Sequence, residues 1–203
     1  MKPVKLNGKD VLPSKIVCIG RNYVEHIKEL GNEVPAEPVI FLKPNSSISP
    51  VIQADNGEEI HFEGEITFMV RGGQLAAVGF GLDLTKRNLQ TALKNKGLPW
   101  ERAKAFDGAA VFSDMVELPG DITGLRLELH INGQLVQQGS YDLMMHKPDE
   151  ILAVTKQFLS YEDGDLIMTG TPKGVGKLTA GDRFNGKIFE QDKLLVEGHW
   201  LVR

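Results

Sequence analysis

Glu63 and Glu65, in the stretch Ile60-His61-Phe62-Glu63-Gly64-Glu65-Ile66-Thr67-Phe68-Met69-Val70, are spaced to act on one chemical partner. Branched and aromatic residues alternate with polar ones there, which predicts a β-strand over 60–70, and residues two apart on a strand point the same way. Both carboxylates then project from one face, with Phe62, Ile66 and Phe68 on the other and Gly64 between them. Two anions so close repel unless a cation separates them. Hard divalent ions such as Mg²⁺, Mn²⁺ or Ca²⁺ favour carboxylate and water oxygens. On this stretch alone a solvated strand face is the commoner arrangement, so the choice rests on what the remaining chain brings.

Several other groups could join such a site. His26 and Glu29 fall three apart in a segment where Val24, Ile27 and Leu30 recur at helical spacing and Gly31-Asn32 ends the helix. They read either as a surface ion pair worth under about 1 kcal/mol or as a dyad in which Glu29 orients His26 for proton transfer. The proline-rich Glu33–Pro38 follows, and residues 21–38 as a whole suit a lid. Asp83 lies at a strand-to-helix corner, where it either caps the helix or supplies a third carboxylate. Arg87 and Gln90 share a helix face. Lys104, among Ala103, Ala105 and Phe106, is either partly desolvated or a snorkelling surface lysine, the commoner case. Gly170-Thr171-Pro172-Lys173-Gly174-Val175-Gly176 is no P-loop, because Thr171 stands where a glycine is needed and Leu178 follows Gly176-Lys177; a backbone amide nest for a carboxylate fits it better.

The elements that must position these groups are mostly strands. Lys15–Gly20 and Val39–Leu42 are short apolar runs that read as buried strands, and Arg71-Gly72-Gly73-Gln74 is a hairpin turn returning as a strand over 75–82. Leu125–Ile131 alternates strictly before the turn Asn132-Gly133. Asp165–Thr169 reads as a strand, as do two segments of 183–203 around a turn near 190–193. Helices are predicted over 86–96 and from Pro148, the latter burying Ile151, Leu152, Val154, Thr155 and Phe158.

At 203 residues the chain suits one domain over 1–203, with 1–14 as an N-terminal segment. A net charge of −4 gives no electrostatic reason to expect nucleic acid or an anionic membrane as partner. No apolar run approaches the roughly 20 residues that span a bilayer, and residues 1–10 lack the apolar core of a signal peptide. The single cysteine, Cys18, forms no internal disulfide and suits the cytoplasm.

Taken together these segments resemble the fumarylacetoacetate hydrolase family, close to its smaller single-domain members. The resemblance runs from about Ile16 to the C-terminus. Its carriers are Gly20-Arg21-Asn22-Tyr23 with His26 and Glu29, Phe41-Leu42-Lys43-Pro44, His61-Phe62-Glu63-Gly64-Glu65, Leu82-Asp83-Leu84-Thr85, Gly97-Leu98-Pro99-Trp100 through Lys104, and Thr169 through Gly176, in the family's order. It implies a β-dominated α+β fold, a mixed β-roll with a few short helices, usually as a homodimer. It also implies Mg²⁺ or Mn²⁺, with Ca²⁺ as a substitute and no organic cofactor, held by Glu63, Glu65 and Asp83. By the same resemblance His26 and Glu29 are the lid dyad and Lys104 the active-site lysine, while Arg21, Tyr23, Arg87, Gln90 and Thr171 hold the substrate's carboxylate and oxygens. Gly64 departs from the family's usual larger apolar residue, the interval from Glu65 to Asp83 is short, Asn88 stands where aspartate is common, and Val111-Phe112 replaces a proline-containing segment.

These parts fit enolate chemistry. A small 2-oxo acid with a second carbonyl can chelate a cation that stabilises the enolate formed when a C3 proton leaves. Return of the proton is keto–enol tautomerisation, which makes an oxaloacetate tautomerase the leading expectation. Acylpyruvate hydrolysis, with water activated by His26, and oxaloacetate decarboxylation are the alternatives. A non-catalytic protein that binds a metal-chelated dicarboxylate is the reading from another class; it needs neither His26 nor Lys104.

Overall fold

The computed structural model describes residues 1–29, 37–55 and 57–203, with 26–28 described by backbone alone. The expected lid therefore lies partly outside the described residues, as does the side chain of His26; the helix that carries it spans Val24–Glu29.

The run over 60–70 keeps its alternation but is not one strand. Ile60–Phe62 pairs with Thr85–Lys86 and Gly176–Lys177 in a small sheet. Gly64–Arg71 instead lies in the largest sheet, between Gln74–Asp83 and Leu166–Met168. Glu63 is where the chain changes sheets. Period-2 patterning is the same on both sides of such a break, which is why sequence alone joins them. The largest sheet continues through Lys15–Gly20, the parallel neighbour of Leu166–Met168, to Val39–Pro44 at one edge; Val116–Glu117 and Ala110–Phe112 pair with Gln74–Asp83 at the other.

A second sheet, all antiparallel, orders Gln134–Ser140, Leu125–Ile131, Arg183–Glu190 and Lys193–Leu201. Its tight turns are those the sequence predicts: Asn132-Gly133 and Gln191 take the left-handed backbone that such connections need. The main core lies against both sheets and gathers Phe62, Ile66, Phe68, Phe80, Leu127, Phe184 and Ile188. Phe62 meets Phe184 edge to face at 5.2 Å. The opposite face of the largest sheet packs Ile16, Cys18, Met69 and Met168 beneath a hairpin of Val4–Leu6 and Lys9–Val11, so the N-terminal segment covers a core. Glu63 and Glu65 share the alternation of Thr67 and Met69, which places them on this second side.

Helix Pro148–Thr155 begins at its proline as expected but ends sooner, so Phe158 is exposed rather than part of the buried stripe. Thr155 turns its hydroxyl back onto the Ile151 carbonyl at 2.7 Å in the last turn. Among the described residues no helix is long and apolar enough to cross a membrane.

Candidate metal and substrate site

The three carboxylates converge because two adjacent strands deliver them. Gly64 pairs with Leu82 and Glu65 with Gly81 across the antiparallel ladder, and the Asp83 N–H donates to the Glu63 carbonyl at 2.9 Å. One oxygen each of Glu63, Glu65 and Asp83 then lies within 4.8 Å of the others, and all three residues are buried. Asp83 does not cap the following helix, Arg87–Asn95, whose N-cap is Lys86.

Cations surround this cluster unevenly. Lys104, at the end of the short helix Glu101–Lys104, is 2% exposed, not a snorkelling surface lysine. Its Nζ donates to Glu63 Oε2 and Asp83 Oδ2, both at 2.8 Å, and to Thr85 Oγ1 at 2.6 Å. Lys43, fully buried, sets its ammonium 2.8 Å from Asp83 Oδ1 and also donates to the Lys104 carbonyl. Arg87 pairs with Glu63 through Nη2 and donates to Gln90 Oε1 at 2.8 Å through Nη1. Glu65 differs. Its Oε2 accepts the Gly170 N–H at 2.7 Å, and among the described residues no cationic side chain lies within ion-pair distance of it.

The proton affinities follow. Burial, then the charges of Asp83 and Glu63, pushes the Glu65 carboxyl well above the ordinary carboxylate range. Burial works against the Lys104 ammonium, but the charges of Asp83 and Glu63 and its hydrogen bonds to them outweigh it, so its pKa is raised. The residues fit a divalent metal: the donors are hard oxygens, they converge, and one buried carboxylate has no contacting cation among the described residues.

The other expected site residues are placed as follows. Arg87 and Lys104 contact the carboxylates directly, and Gln90 reaches them only through Arg87, whose Nη1 it accepts. Thr171 is buried, and its Oγ1 donates to the Gly64 carbonyl at 2.9 Å. The Tyr23 hydroxyl is buried with no hydrogen-bond partner among the described residues, and burial followed by the Glu65 charge raises its pKa. Arg21 adopts φ 58°, a left-handed conformation uncommon outside glycine. Glu29 accepts the Gly174 N–H at 3.0 Å, so the carboxylate met by the glycine-rich loop is that of the helix Val24–Glu29.

Three contributors escape the sequence reading. Lys43 and Thr85 are signalled only as residues of motifs, with no role attached to either. Asn22, completely buried, fixes the Arg21–Tyr23 turn by donating to the Thr169 and His146 carbonyls at 2.8 and 2.9 Å and accepting the His146 N–H at 2.7 Å. It thereby anchors the loop whose Gly170 N–H holds Glu65.

Gly64 has a physical reason to be glycine. A Cβ there would stand 2.9 Å from the Phe80 ring and 3.0 Å from Gln137 Oε1, both buried. A larger side chain needs a different arrangement of both neighbours.

Comparison with known proteins agrees with this architecture. The chain is 38% identical over 188 residues to oxaloacetate tautomerase YcgM of Escherichia coli K12, an alignment covering 83% of this chain and 85% of that protein. The crystal structure of a fumarylacetoacetate isomerase/hydrolase-type protein from Oleispira antarctica superposes with a TM-score of 0.94 at 37% identity, covering 100% of both chains. Fumarylpyruvate hydrolase from Pseudomonas aeruginosa, crystallised with Mn²⁺ and pyruvate, superposes with a TM-score of 0.87 at 26% identity over 99% of this chain and 97% of that one. The fumarylacetoacetate (FAA) hydrolase C-terminal family matches residues 15–194, so the chain belongs to the fumarylacetoacetate hydrolase family.

Proposed function

We propose that this protein is a divalent-metal-dependent oxaloacetate keto–enol tautomerase. The observation that carries the reading is the buried Glu63, Glu65 and Asp83 cluster with the Lys104 ammonium between two of its members, in a chain 38% identical to an oxaloacetate tautomerase. Mg²⁺ or Mn²⁺ is the metal of this reading, with Ca²⁺ as a substitute, held by the three carboxylates. When bound, such an ion supplies a Lewis acid that stabilises negative charge on the substrate's 2-oxo oxygen and carboxylate.

The chain's own residues do the rest. The Lys104 ammonium, between Glu63 and Asp83, sets positive charge beside the developing enolate; an Nζ proton given to C3 of the enol is returned to Nζ by the enol hydroxyl, so the proton count closes. Arg87, which contacts Gln90 and Glu63, takes the substrate's distal carboxylate in this reading, supported by a guanidinium's capacity to act as a planar two-point donor. Arg21, Tyr23 and Thr171 complete the binding set. The helix bearing His26 and Glu29 reaches the Gly174 loop through Glu29, which supports its role as a lid over the site. A homodimer in the cytoplasm is part of the same reading, and light scattering of the purified protein tests the dimer.

Acylpyruvate hydrolysis is the second reading. It is favoured by a cleft of about 520 Å³ that includes Tyr23 and has the apolar Val24, Leu143, Met144, Met145 and Pro172 in its lining beside the polar Glu25, Gln138, Asp142 and Lys173, with room for an acyl group. The test offers enol-oxaloacetate and acetylpyruvate to the protein with Mg²⁺, following enol absorbance and pyruvate. Faster loss of the enol signal without pyruvate release is the expected result. An enol decay no faster than the buffer's sinks the tautomerase reading, and pyruvate from acetylpyruvate alone replaces it with the hydrolase.

A further inference from the structure

Gln137 lies on the strand Gln134–Ser140, in the second sheet, yet its side chain is 1% exposed and reaches the carboxylate centre from behind. Its Oε1 accepts the Gly64 N–H at 2.9 Å. Its Nε2 donates to Thr171 Oγ1 and to the Pro172 carbonyl, each at 2.9 Å. Thr171 Oγ1 in turn donates to the Gly64 carbonyl at 2.9 Å. These bonds close a ring around the residue that links Glu63 to Glu65. Both polar groups of Gly64 are satisfied within it, although Gly64 sits at a switch between sheets. The ring also fastens the loop whose Gly170 N–H holds Glu65. The carboxamide has one sense only: reversed, it would set Nε2 against the Gly64 N–H and Oε1 against the Pro172 carbonyl.

We propose that Gln137 is a positioning residue for the metal centre, setting the aim of Glu63 and Glu65 through Gly64 and the Thr171 loop while touching neither carboxylate. This inference rests on the metal-site reading above. Partners that orient metal ligands commonly control affinity by about 10- to 100-fold when removed.

The test replaces Gln137 by methionine, which keeps the length and removes every hydrogen bond, and measures Mn²⁺ affinity by EPR on the folded protein alongside its melting curve. Mn²⁺ binding about 10- to 100-fold weaker than the parent's, with a broadened Mn²⁺ spectrum and a lower kcat at saturating metal, supports the positioning role. A lower melting temperature with parental Mn²⁺ affinity and spectrum overturns it, leaving Gln137 a purely structural residue. Thr171→Val opens the same ring from its other side. If the ring acts as a unit, Q137M/T171V binds Mn²⁺ no worse than the weaker single variant, whereas independent, multiplying losses contradict it. Because Mn²⁺ affinity is read without turnover, a parent that binds Mn²⁺ but does not convert enol-oxaloacetate discards the tautomerase reading and still decides Gln137.

Discussion

Two buried carboxylate centres stand at opposite ends of the largest sheet's neighbouring strands, and they are built in opposite ways. Asp165, just before Leu166–Met168, is fully buried and fully served: it accepts the Ser14 N–H at 2.7 Å, the Ser14 hydroxyl at 2.8 Å, the Lys15 N–H at 3.1 Å and the Glu162 N–H at 2.9 Å, and pairs with the Lys15 ammonium. Glu65, on the adjacent strand Gly64–Arg71, is as deeply buried with one backbone donor. Burial raises the proton affinity of both. At Asp165 the hydrogen bonds of Lys15, Glu162 and Ser14 overcome it and hold the carboxyl below its usual value; at Glu65 the neighbouring Asp83 and Glu63 add to it. Asp165 ties the N-terminal segment to the core and stabilises the fold. Glu65 costs stability as it stands, and that pattern marks a group kept for a ligand.

Exchanging each carboxylate for its amide separates these roles. Glu65→Gln is expected to lower turnover of enol-oxaloacetate by about 10³-fold or more, roughly 4 kcal/mol of transition-state stabilisation, while the melting temperature stays level or rises. A variant that binds metal and turns over substrate like the parent would falsify the site. Asp165→Asn should do the reverse. Losing the ion pair and several charge-assisted bonds costs about 3 kcal/mol in urea unfolding, with kcat per folded molecule unchanged; a fall in kcat at equal stability would give Asp165 a part in turnover.

The pH dependence of stability carries the same contrast. Because the Asp165 carboxyl binds its proton less readily in the folded chain than in the unfolded one, its contribution is complete above the unfolded value near 3.9 and disappears as pH falls through the lower folded value. The stability gap between the parent and D165N should thus narrow below about pH 4, measured by urea midpoints from pH 3 to 7. A gap that stays constant across that range removes the charge from the explanation. The smallest effect is expected at Gly64. Gly64→Ala crowds Phe80 and Gln137 and should cost about 1–2 kcal/mol with a modest loss of activity; unchanged Mn²⁺ affinity would show that the two glutamates tolerate movement of the peptide between them.

Much of this architecture is legible in local pattern. The Gly72-Gly73 and Asn132-Gly133 turns, the strands they join, and the shared face of Glu63 and Glu65 follow from period-2 alternation and from left-handed turn residues, which act within a few positions of one another. The convergence of Asp83 and Lys104 on those glutamates is suggested by resemblance but is not derivable from spacing, since Asp83 lies 18 positions and Lys104 39 positions after Glu65. The extent of helix Pro148–Thr155 misleads at Phe158 because its end is set by packing, which a hydrophobic stripe does not reveal.

Strand periodicity, the turns and a set of charged residues in a familiar order are all readable from the chain's own letters, because local sterics and side-chain alternation act between neighbouring residues. Only the tertiary structure decided that Ile60–Phe62 and Gly64–Arg71 belong to different sheets, that Lys43 and Lys104 are buried against Asp83, and that Gln137 reaches across from the second sheet to Gly64. Those outcomes depend on which distant segments share a dielectric and a hydrogen bond, and that is fixed when the sheets pack.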